Sequence, residues 1–194
     1  MIDPASAPVG CSSAERRRVM SAAQALGVPR DYARARQLRS VREPQRLIAI
    51  GRDTRGRPQW LIPRAARSWL HLCGRAFEDG VVLHIVSAFR SAEYQFGILQ
   101  RKLDRGLAID EILRVSAAPG YSEHHSGRAL DVSTPGYPVL EEGFEASPAF
   151  AWLKHNARKF GFALSYPRGN RHGIAYEPWH WCWHARLAEK KSQR

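Results

Sequence analysis

A short polar stretch, PGYSEHHSGRALD, brings together two histidines, a serine and two carboxylates between Pro119 and Asp131. Histidine and aspartate are both good ligands for a divalent metal, and glycine-flanked turns can bring them together. Gly127 leaves room for the backbone to pass close to a metal or a neighbouring strand. The alternative is an ordinary turn in which the aspartate accepts hydrogen bonds from backbone amides. From the residues alone, it stays open whether His124 or His125 is the histidine that takes part in the chemistry.

A second stretch, AYEPWHWCWH, adds a carboxylate and an imidazole at Glu177 and His180. Residues three apart on a regular strand point to opposite faces, but Pro178 lacks a ladder donor and disfavours a regular strand. A bend at Pro178 would bring both side chains into one cleft. The alternative is an exposed glutamate beside a cluster of tryptophans.

Two histidines and one aspartate would give three protein ligands and leave a fourth position for water, which is the arrangement of a catalytic zinc. A nearby carboxylate could then act as general base. We therefore expect one zinc ion per chain. Cys182 and His184 are also competent ligands, and in a helix His180 and His184 would share a face. Pro178 and the tryptophans favour extended chain instead.

Hydrophobic periodicity and turn-forming residues predict the helices and strands that position these residues. Helices are predicted over SAERRRVMSAAQALG, PRAARSWLHLCGRAFEDG, SAEYQFGILQRKLDRG and SPAFAWLKHNARKFG, which start with Ser or Pro and end near Gly. Strands are predicted at VVLHIVSAF, ALDVST, FALSYP and GIAYEPWHW, and a hairpin at RLIAIG and PQWLIP.

These elements predict an α+β fold with a mostly antiparallel central sheet, flanking helices and the zinc site at one side of the sheet. Residues 1–13 are small, polar and proline-containing, and we expect them to be disordered. The length of 194 residues is sufficient for one domain with its own core, which we expect over residues 14–194.

The composition limits the classes of binding partner that we expect for this chain. The net charge of +12 predicts attraction to a polyanion such as nucleic acid, an anionic membrane surface or bacterial cell wall. No nucleic-acid recognition motif accompanies the arginines, so we expect no specific nucleic-acid partner. No apolar run is long enough to span a bilayer, and the chain does not start with a secretory signal. The default expectation is therefore a cytoplasmic location, with periplasmic or cell-wall action if the protein is exported or its sequence is trimmed. Separately, we expect a monomer.

Four motifs in order resemble those of the VanY-like D-alanyl-D-alanine carboxypeptidases, zinc peptidases that trim cell-wall peptides. They are SAFRS followed by Gln95, then SEHHSGRALD, GFALSYP and GIAYEPWHW, and they cover about residues 87–181. The resemblance implies peptidoglycan stem peptides as substrate. Within it, the alternatives are an L,D-carboxypeptidase, a D-Ala-D-Ala dipeptidase or a phage-lysin-type endopeptidase. Outside it, they are a non-catalytic wall-binding module or a basic nucleic-acid-binding protein.

The resemblance also implies which residues form the metal site. The family pattern Ser-x-His-x-x-Gly-x-Ala-x-Asp makes His124, rather than its neighbour, a zinc ligand. Asp131 and His180 are implied as the other two ligands. Glu177 is implied to be the catalytic base that activates water and later protonates the leaving amine.

The remaining matches imply contacts with the substrate. Arg90 is implied to act in catalysis and binding by holding a substrate oxygen, either the terminal carboxylate or the developing oxyanion. Gln95, Ser122 and Tyr166 are implied to line the cleft. One departure is Phe89, since the family often has a hydroxylated aromatic residue at this position.

Overall fold

The computed structural model of the protein describes residues 7–189. In chain order, its helices and strands are α1 (Ser13–Ala25), α2 (Tyr32–Ala35), β1 (Ile48–Arg52), β2 (Pro58–Leu61), α3 (Pro63–Glu78), β3 (His84–Ser87), α4 (Ala92–Asp104), α5 (Ile109–Val115), β4 (Ala129–Ser133), α6 (Pro148–Asn156), β5 (Phe162–Leu164), β6 (His180–Trp183) and α7 (Ala185–Glu189). Short 3₁₀ helices lie at Glu123–Ser126, Glu142–Ala146 and Ala157–Phe160. The predicted α+β architecture is confirmed.

A four-stranded antiparallel sheet in the order β3-β4-β6-β5 forms the centre of the fold. Side chains alternate between the two faces of a strand. Leu130 and Trp181 belong to the main hydrophobic core, so Asp131 and His180 lie on the other face. Asp131 is also the register partner of His180 on the neighbouring strand. The pleat and the register together bring two candidate metal ligands side by side.

Helix α3 contributes to the core that supports the sheet. Pro63 occupies its first turn, where the missing N–H costs no hydrogen bond. Ala65, Trp69, Leu72 and Ala76 recur on one face and are at most 2% exposed. This spacing is that of an amphipathic helix with one buried stripe. The sequence predicted this helix, and the structure confirms it.

A second cluster of buried residues joins helices near the N-terminus to α4 and α5. It contains Ala23 from α1, Leu99 from α4, and Ile112 and Leu113 from α5. The cap of α4 is the predicted Ser91, whose hydroxyl accepts a hydrogen bond from the N–H of Tyr94 at 3.0 Å. Helix α4 begins at Ala92, shortly after β3 ends at Ser87. Helix α5 was not predicted from the sequence.

The predicted antiparallel hairpin is confirmed as β1 and β2. The predicted strand over residues 173–181 is largely wrong, because regular pairing begins only at His180. The cause is Pro178, which sits in a turn closed by a 3.1 Å hydrogen bond from the N–H of His180 to the carbonyl of Glu177. The bend expected at this proline is therefore present.

The N-terminal segment precedes α1. Residues 1–6 of the segment expected to be disordered lie outside the described residues. Within the described part, Cys11 donates its backbone N–H to Glu43 Oε2 at 3.0 Å, and its thiol lies 3.2 Å from Glu43 Oε1. Glu43 Oε1 also accepts the N–H of Ala92 at 2.7 Å, so this carboxylate joins the segment to the start of α4.

In the part of the chain that the structure describes, no helix is both long enough and apolar enough to cross a membrane.

Candidate active site

His124 is placed by the 3₁₀ helix Glu123–Ser126, which leads into β4 through Gly127. Gly127 has a φ of 62°, and a Cβ there would lie only 2.8 Å from Leu47 Cδ2. Glycine is therefore required both by the left-handed backbone and by the close packing. The turn leaves the His124 ring 1% exposed. Its Nδ1 lies 2.5 Å from the carbonyl oxygen of Ala88. A carbonyl can only accept, so Nδ1 carries the proton and Nε2 presents a lone pair.

Three buried donor groups converge at the face of the sheet. His124 Nε2 lies 3.3 Å from Asp131 Oδ2, and His180 Nδ1 lies 3.0 Å from Asp131 Oδ1. One ligand atom from each of the three residues lies within 4.8 Å of the others. In residues 7–189 this is the only such group of three metal-competent side chains. The structure therefore brings together the three ligands that the resemblance implied.

The geometry fits a cation between these donors. His124 Nε2 is buried, has no hydrogen-bond partner among the described residues and faces a carboxylate oxygen. Two electron-rich atoms repel each other in this arrangement unless positive charge lies between them. Burial raises the pKa of Asp131, but His124 and His180 outweigh burial, so this pKa lies well below its usual range. Two imidazoles and one ionised carboxylate form a ligand set suited to zinc.

Glu177 lies beside this group because of the turn at Pro178. Its Oε2 is 3.7 Å from His180 Nδ1, and its side chain is 12% exposed. Burial is the largest effect on its carboxyl group and raises the pKa to about 7. The nearby charge of Asp131 raises this pKa further, whereas His180 and Arg90 lower it. A carboxyl group with a pKa near neutrality is suited to taking up and releasing a proton.

Arg90 and Gln95 offer unsatisfied polar atoms. Arg90 Nε is buried and has no hydrogen-bond partner within residues 7–189. Gln95 is 2% exposed and donates its Nε2 to the carbonyl of Ala117 at 2.9 Å, which leaves its Oε1 without a partner. Buried polar groups are normally hydrogen-bonded, so exceptions are candidates for ligand contacts. These two atoms are thus a free donor and a free acceptor.

Ser122 and Tyr166 are both buried. Ser122 precedes the 3₁₀ helix that carries His124, and its hydroxyl does not cap that helix. The ring of Tyr166 lies 4.9 Å from the ring of His180. The carbonyl of Tyr166 accepts the N–H of Glu177 at 3.1 Å. Tyr166 therefore supports both the candidate base and a candidate metal ligand.

The structure also explains why His125 differs from its neighbour. His125 Nδ1 lies 2.6 Å from the carbonyl of Arg90, and Nε2 accepts the N–H of Gly120 at 3.1 Å. Both ring nitrogens are therefore engaged with backbone groups. His125 joins the loop of Arg90 to the turn at Gly120 and has no lone pair left for a metal.

The rival ligand set with Cys182 and His184 is not formed in the described residues. His180–Trp183 is a strand and not a helix, so His180 and His184 do not share a helical face. His184 is exposed just beyond the strand. Cys182 is buried, and burial raises the pKa of its thiol well above the usual value, which disfavours a thiolate ligand.

Sequence reasoning missed Glu123. Its Oε2 lies 3.0 Å from His180 Nε2 and accepts a hydrogen bond from the hydroxyl of Ser165 at 2.5 Å. Glu123 therefore contacts the nitrogen of His180 that faces away from Asp131. The only sequence signal was its place beside His124 in the motif, because the residues that it contacts lie far along the chain.

Comparisons with known proteins agree on one family. A family model described as VanY, D-alanyl-D-alanine carboxypeptidase, matches residues 58–186. The match starts well before residue 87 and so includes β2 and α3. The chain is 32% identical over 113 residues to a D-alanyl-D-alanine carboxypeptidase of Enterococcus faecalis, which is 53% of this chain and 40% of that protein. Across four curated relatives, the aligned part spans between 19% and 65% of the relative's own length.

Two solved structures share the fold. The LdcB LD-carboxypeptidase matches with a TM-score of 0.65 and 25% identity, over 78% of this chain and 74% of that chain. A zinc complex of a variant of the vancomycin resistance D,D-pentapeptidase VanY matches with a TM-score of 0.58 and 26% identity, over 77% of this chain and 84% of that chain. The first is described as an LD-carboxypeptidase and the second as a D,D-pentapeptidase, so their names differ in the stereochemistry of the bond that is cleaved.

Proposed function

Since this chain belongs to the VanY family of D-alanyl-D-alanine carboxypeptidases, we propose that it is a zinc-dependent D,D-carboxypeptidase. Its substrates would be bacterial peptidoglycan stem peptides, from which it removes the terminal D-alanine. The observation that carries this proposal is the convergence of His124, Asp131 and His180 within 4.8 Å, with Glu177 beside them. We further propose that residues 14–194 form one catalytic domain.

We propose that His124 Nε2, an Asp131 carboxylate oxygen and His180 Nδ1 hold one zinc ion. When bound, zinc would polarise the scissile carbonyl and lower the pKa of a water molecule. Glu177 would accept the proton of the attacking water and later deliver it to the leaving amine. Its position 3.7 Å from His180 and its raised pKa support this role.

Arg90, Gln95, Ser122 and Tyr166 would orient the peptide. Arg90 would hold the terminal carboxylate or the oxygen that becomes negative in the transition state, because a guanidinium can donate two parallel hydrogen bonds. Gln95 Oε1, which is buried without a partner, would accept a substrate N–H. Tyr166 would pack against the peptide beside His180.

An L,D-carboxypeptidase is the second candidate, and the similarity to LdcB favours it. Both activities would use the same metal ligands and base. A dipeptidase would release D-Ala-D-Ala, and a lysin-type endopeptidase would cut within a longer peptide. Incubating the zinc-loaded protein with defined muropeptides and reading the products by mass distinguishes all four. Loss of a single D-alanine from pentapeptides is the result that supports the proposal, and intact peptides in every case would contradict it.

The role of Arg90 predicts a dependence on the substrate terminus. If Arg90 holds the terminal carboxylate, a pentapeptide with an amidated C-terminus should not be cleaved, while the free acid is. Cleavage rates of the two peptides, followed by released D-alanine or D-alaninamide, measure this. Equal rates would show that the enzyme is an endopeptidase, in which Arg90 stabilises the transition state.

Glu123 predicts an effect on zinc affinity without contact with the metal. A carboxylate that accepts the Nε2–H of His180 fixes the ring and leaves the Nδ1 lone pair for the ion. Glu123→Ala should therefore raise the zinc dissociation constant about 10- to 100-fold. Glu123→Gln is the matched control, because its amide oxygen can still accept the same hydrogen bond. Competition with a chromogenic chelator measures the affinities, and an unchanged dissociation constant in Glu123→Ala would contradict the assignment.

A further inference from the structure

A separate cavity of about 220 Å³ adjoins the candidate active site. Glu123 and Tyr166 line it, and both of these residues also contact His180. Five basic residues also line it, namely Arg39, Arg128, Arg171, His172 and His184. None of these basic residues has a part in the catalytic arrangement proposed above.

Within residues 7–189, the arginines of this cavity have no carboxylate that would neutralise their charge. Among the described residues, the only acidic one that lines the cavity is Glu123, whose carboxylate is already engaged by His180 and Ser165. In residues 7–189, no ion pair joins Arg39, Arg128 or Arg171 to a carboxylate, and all three are exposed. Other arginines of this protein, such as those at positions 57, 75 and 168, do have carboxylate partners at 2.7 Å. Arg171 donates from Nε to His172 Nε2 at 3.4 Å. The cavity therefore offers an anion guanidinium groups that have no carboxylate partner among the described residues.

The two walls of the cavity are held together by specific contacts. Arg36 donates from Nη1 to the carbonyl oxygens of His172 at 3.3 Å and Gly173 at 2.7 Å. His172 Nδ1 in turn lies 2.9 Å from the carbonyl of Arg36. The next residue, Gln37, has a φ of 50°, a conformation that a non-glycine residue keeps only when its surroundings hold it there. The basic cavity is therefore preformed.

The basic cavity and the metal site share a wall, since Tyr166 packs 4.9 Å from the ring of His180 and also lines the cavity. Arg90 does not line it. Arg90 lines a different cavity of about 280 Å³ together with Trp60 and Tyr94. If the terminal carboxylate of a peptide lies at Arg90, the scissile bond would lie at the metal ligands. The residues before that bond would then lie outside the cavity that Arg90 lines. Glu123 and Tyr166 both contact His180 and line the cavity, so the basic cavity is next to the metal ligands. The residue just before the D-alanines is the one that we place in it, since an extended chain advances only about 3.3–3.6 Å per residue.

We propose that the basic cavity is a subsite for a side-chain carboxylate of the stem-peptide residue that precedes the D-alanines. This proposal rests on the proposed function. Peptides with diaminopimelate at this position carry such a carboxylate, whereas peptides with lysine do not. The cavity would thus select diaminopimelate-type peptides over lysine-type and amidated ones. Arg128 and Arg171 would be specificity-determining residues that take no part in the chemistry.

The test compares two synthetic pentapeptides that differ only in whether the diaminopimelate side-chain carboxylate is free or amidated. Binding is measured by calorimetry to the zinc-loaded Glu177→Gln variant, so that the result does not depend on cleavage. The free carboxylate should bind about tenfold more tightly, the scale of one charged hydrogen bond. Adding Arg128→Gln and Arg171→Gln should remove this preference. The matched control, Arg18→Gln with Arg158→Gln, loses the same charge at exposed positions outside the cavity and should keep it.

Several outcomes would overturn the subsite. Three results would contradict it: equal affinities for the two peptides, binding of neither peptide, or an unchanged preference after both arginines are replaced. Binding of inorganic phosphate that excludes the peptides and requires both arginines would assign the cavity to phosphate instead. Failure of the wild-type protein to cleave either peptide would contradict the proposed function, but it would leave the binding comparison intact.

Discussion

Glu177→Gln is expected to stop turnover while the protein keeps its fold and its zinc. Glutamine has nearly the same shape as glutamate but cannot accept a proton from water or return it to a leaving amine. General acid–base catalysis accounts for about two to four orders of magnitude in rate, so kcat should fall by about 10²- to 10⁴-fold. Glu177 is proposed to lie beside the metal without being a ligand, so zinc content should remain near one per chain.

The measurement is D-alanine release from a pentapeptide, together with metal analysis and circular dichroism of the same sample. Glu141→Gln, at an exposed glutamate ahead of the Glu142–Ala146 3₁₀ helix, is the matched control and should behave as wild type. A Glu177→Gln protein with normal turnover would refute the mechanism. Loss of zinc in this variant would show that Glu177 is a ligand instead.

His124→Ala is expected to abolish zinc binding and activity together. His124 supplies one of three proposed ligands, and its Nε2 is buried with no other partner. Loss of a hydrogen bond to a ligand typically weakens metal binding by about 10- to 100-fold, and loss of the ligand itself should exceed this range. The variant should therefore purify with little zinc and release no measurable D-alanine.

Two other histidines serve as controls for this experiment. His155 is exposed on α6, and His155→Ala should keep full zinc and activity. His125→Asn removes an imidazole that contacts only backbone groups and should keep its zinc, although the Arg90 loop is expected to loosen. Zinc retained in His124→Ala but lost in His125→Asn would reverse the choice between the two neighbours.

The three residues that converge at the sheet, His124, Asp131 and His180, could be singled out from the sequence because they lie in two short motifs that resemble those of a known family. The bend that brings Glu177 to His180 was also predictable, since Pro178 cannot donate to a sheet ladder. The strand expected across that proline was wrong for the same reason: the apolar and aromatic pattern of the segment outweighed the proline in the prediction.

Glu123 and the basic cavity could not be predicted, because both depend on tertiary contacts. Glu123 becomes relevant only when the 3₁₀ helix turns it toward Ser165 and His180, which are 42 and 57 positions away in the chain. The arginines of the cavity come from segments separated by up to 132 positions, Arg39 and Arg171 being the extremes. In the sequence they resemble the other surface arginines of a basic protein.

The pairing of β4 with β6 also affects how the protein reaches its native state. Asp131 lies opposite His180 only in the native register. A slip of β6 by one residue would place an indole, from Trp179 or Trp181, opposite the carboxylate and turn the imidazole to the other face. Such a misaligned sheet could not assemble the three ligands. Zinc bound as proposed would therefore stabilise only those molecules whose central strands have paired correctly, since only they present all three ligands.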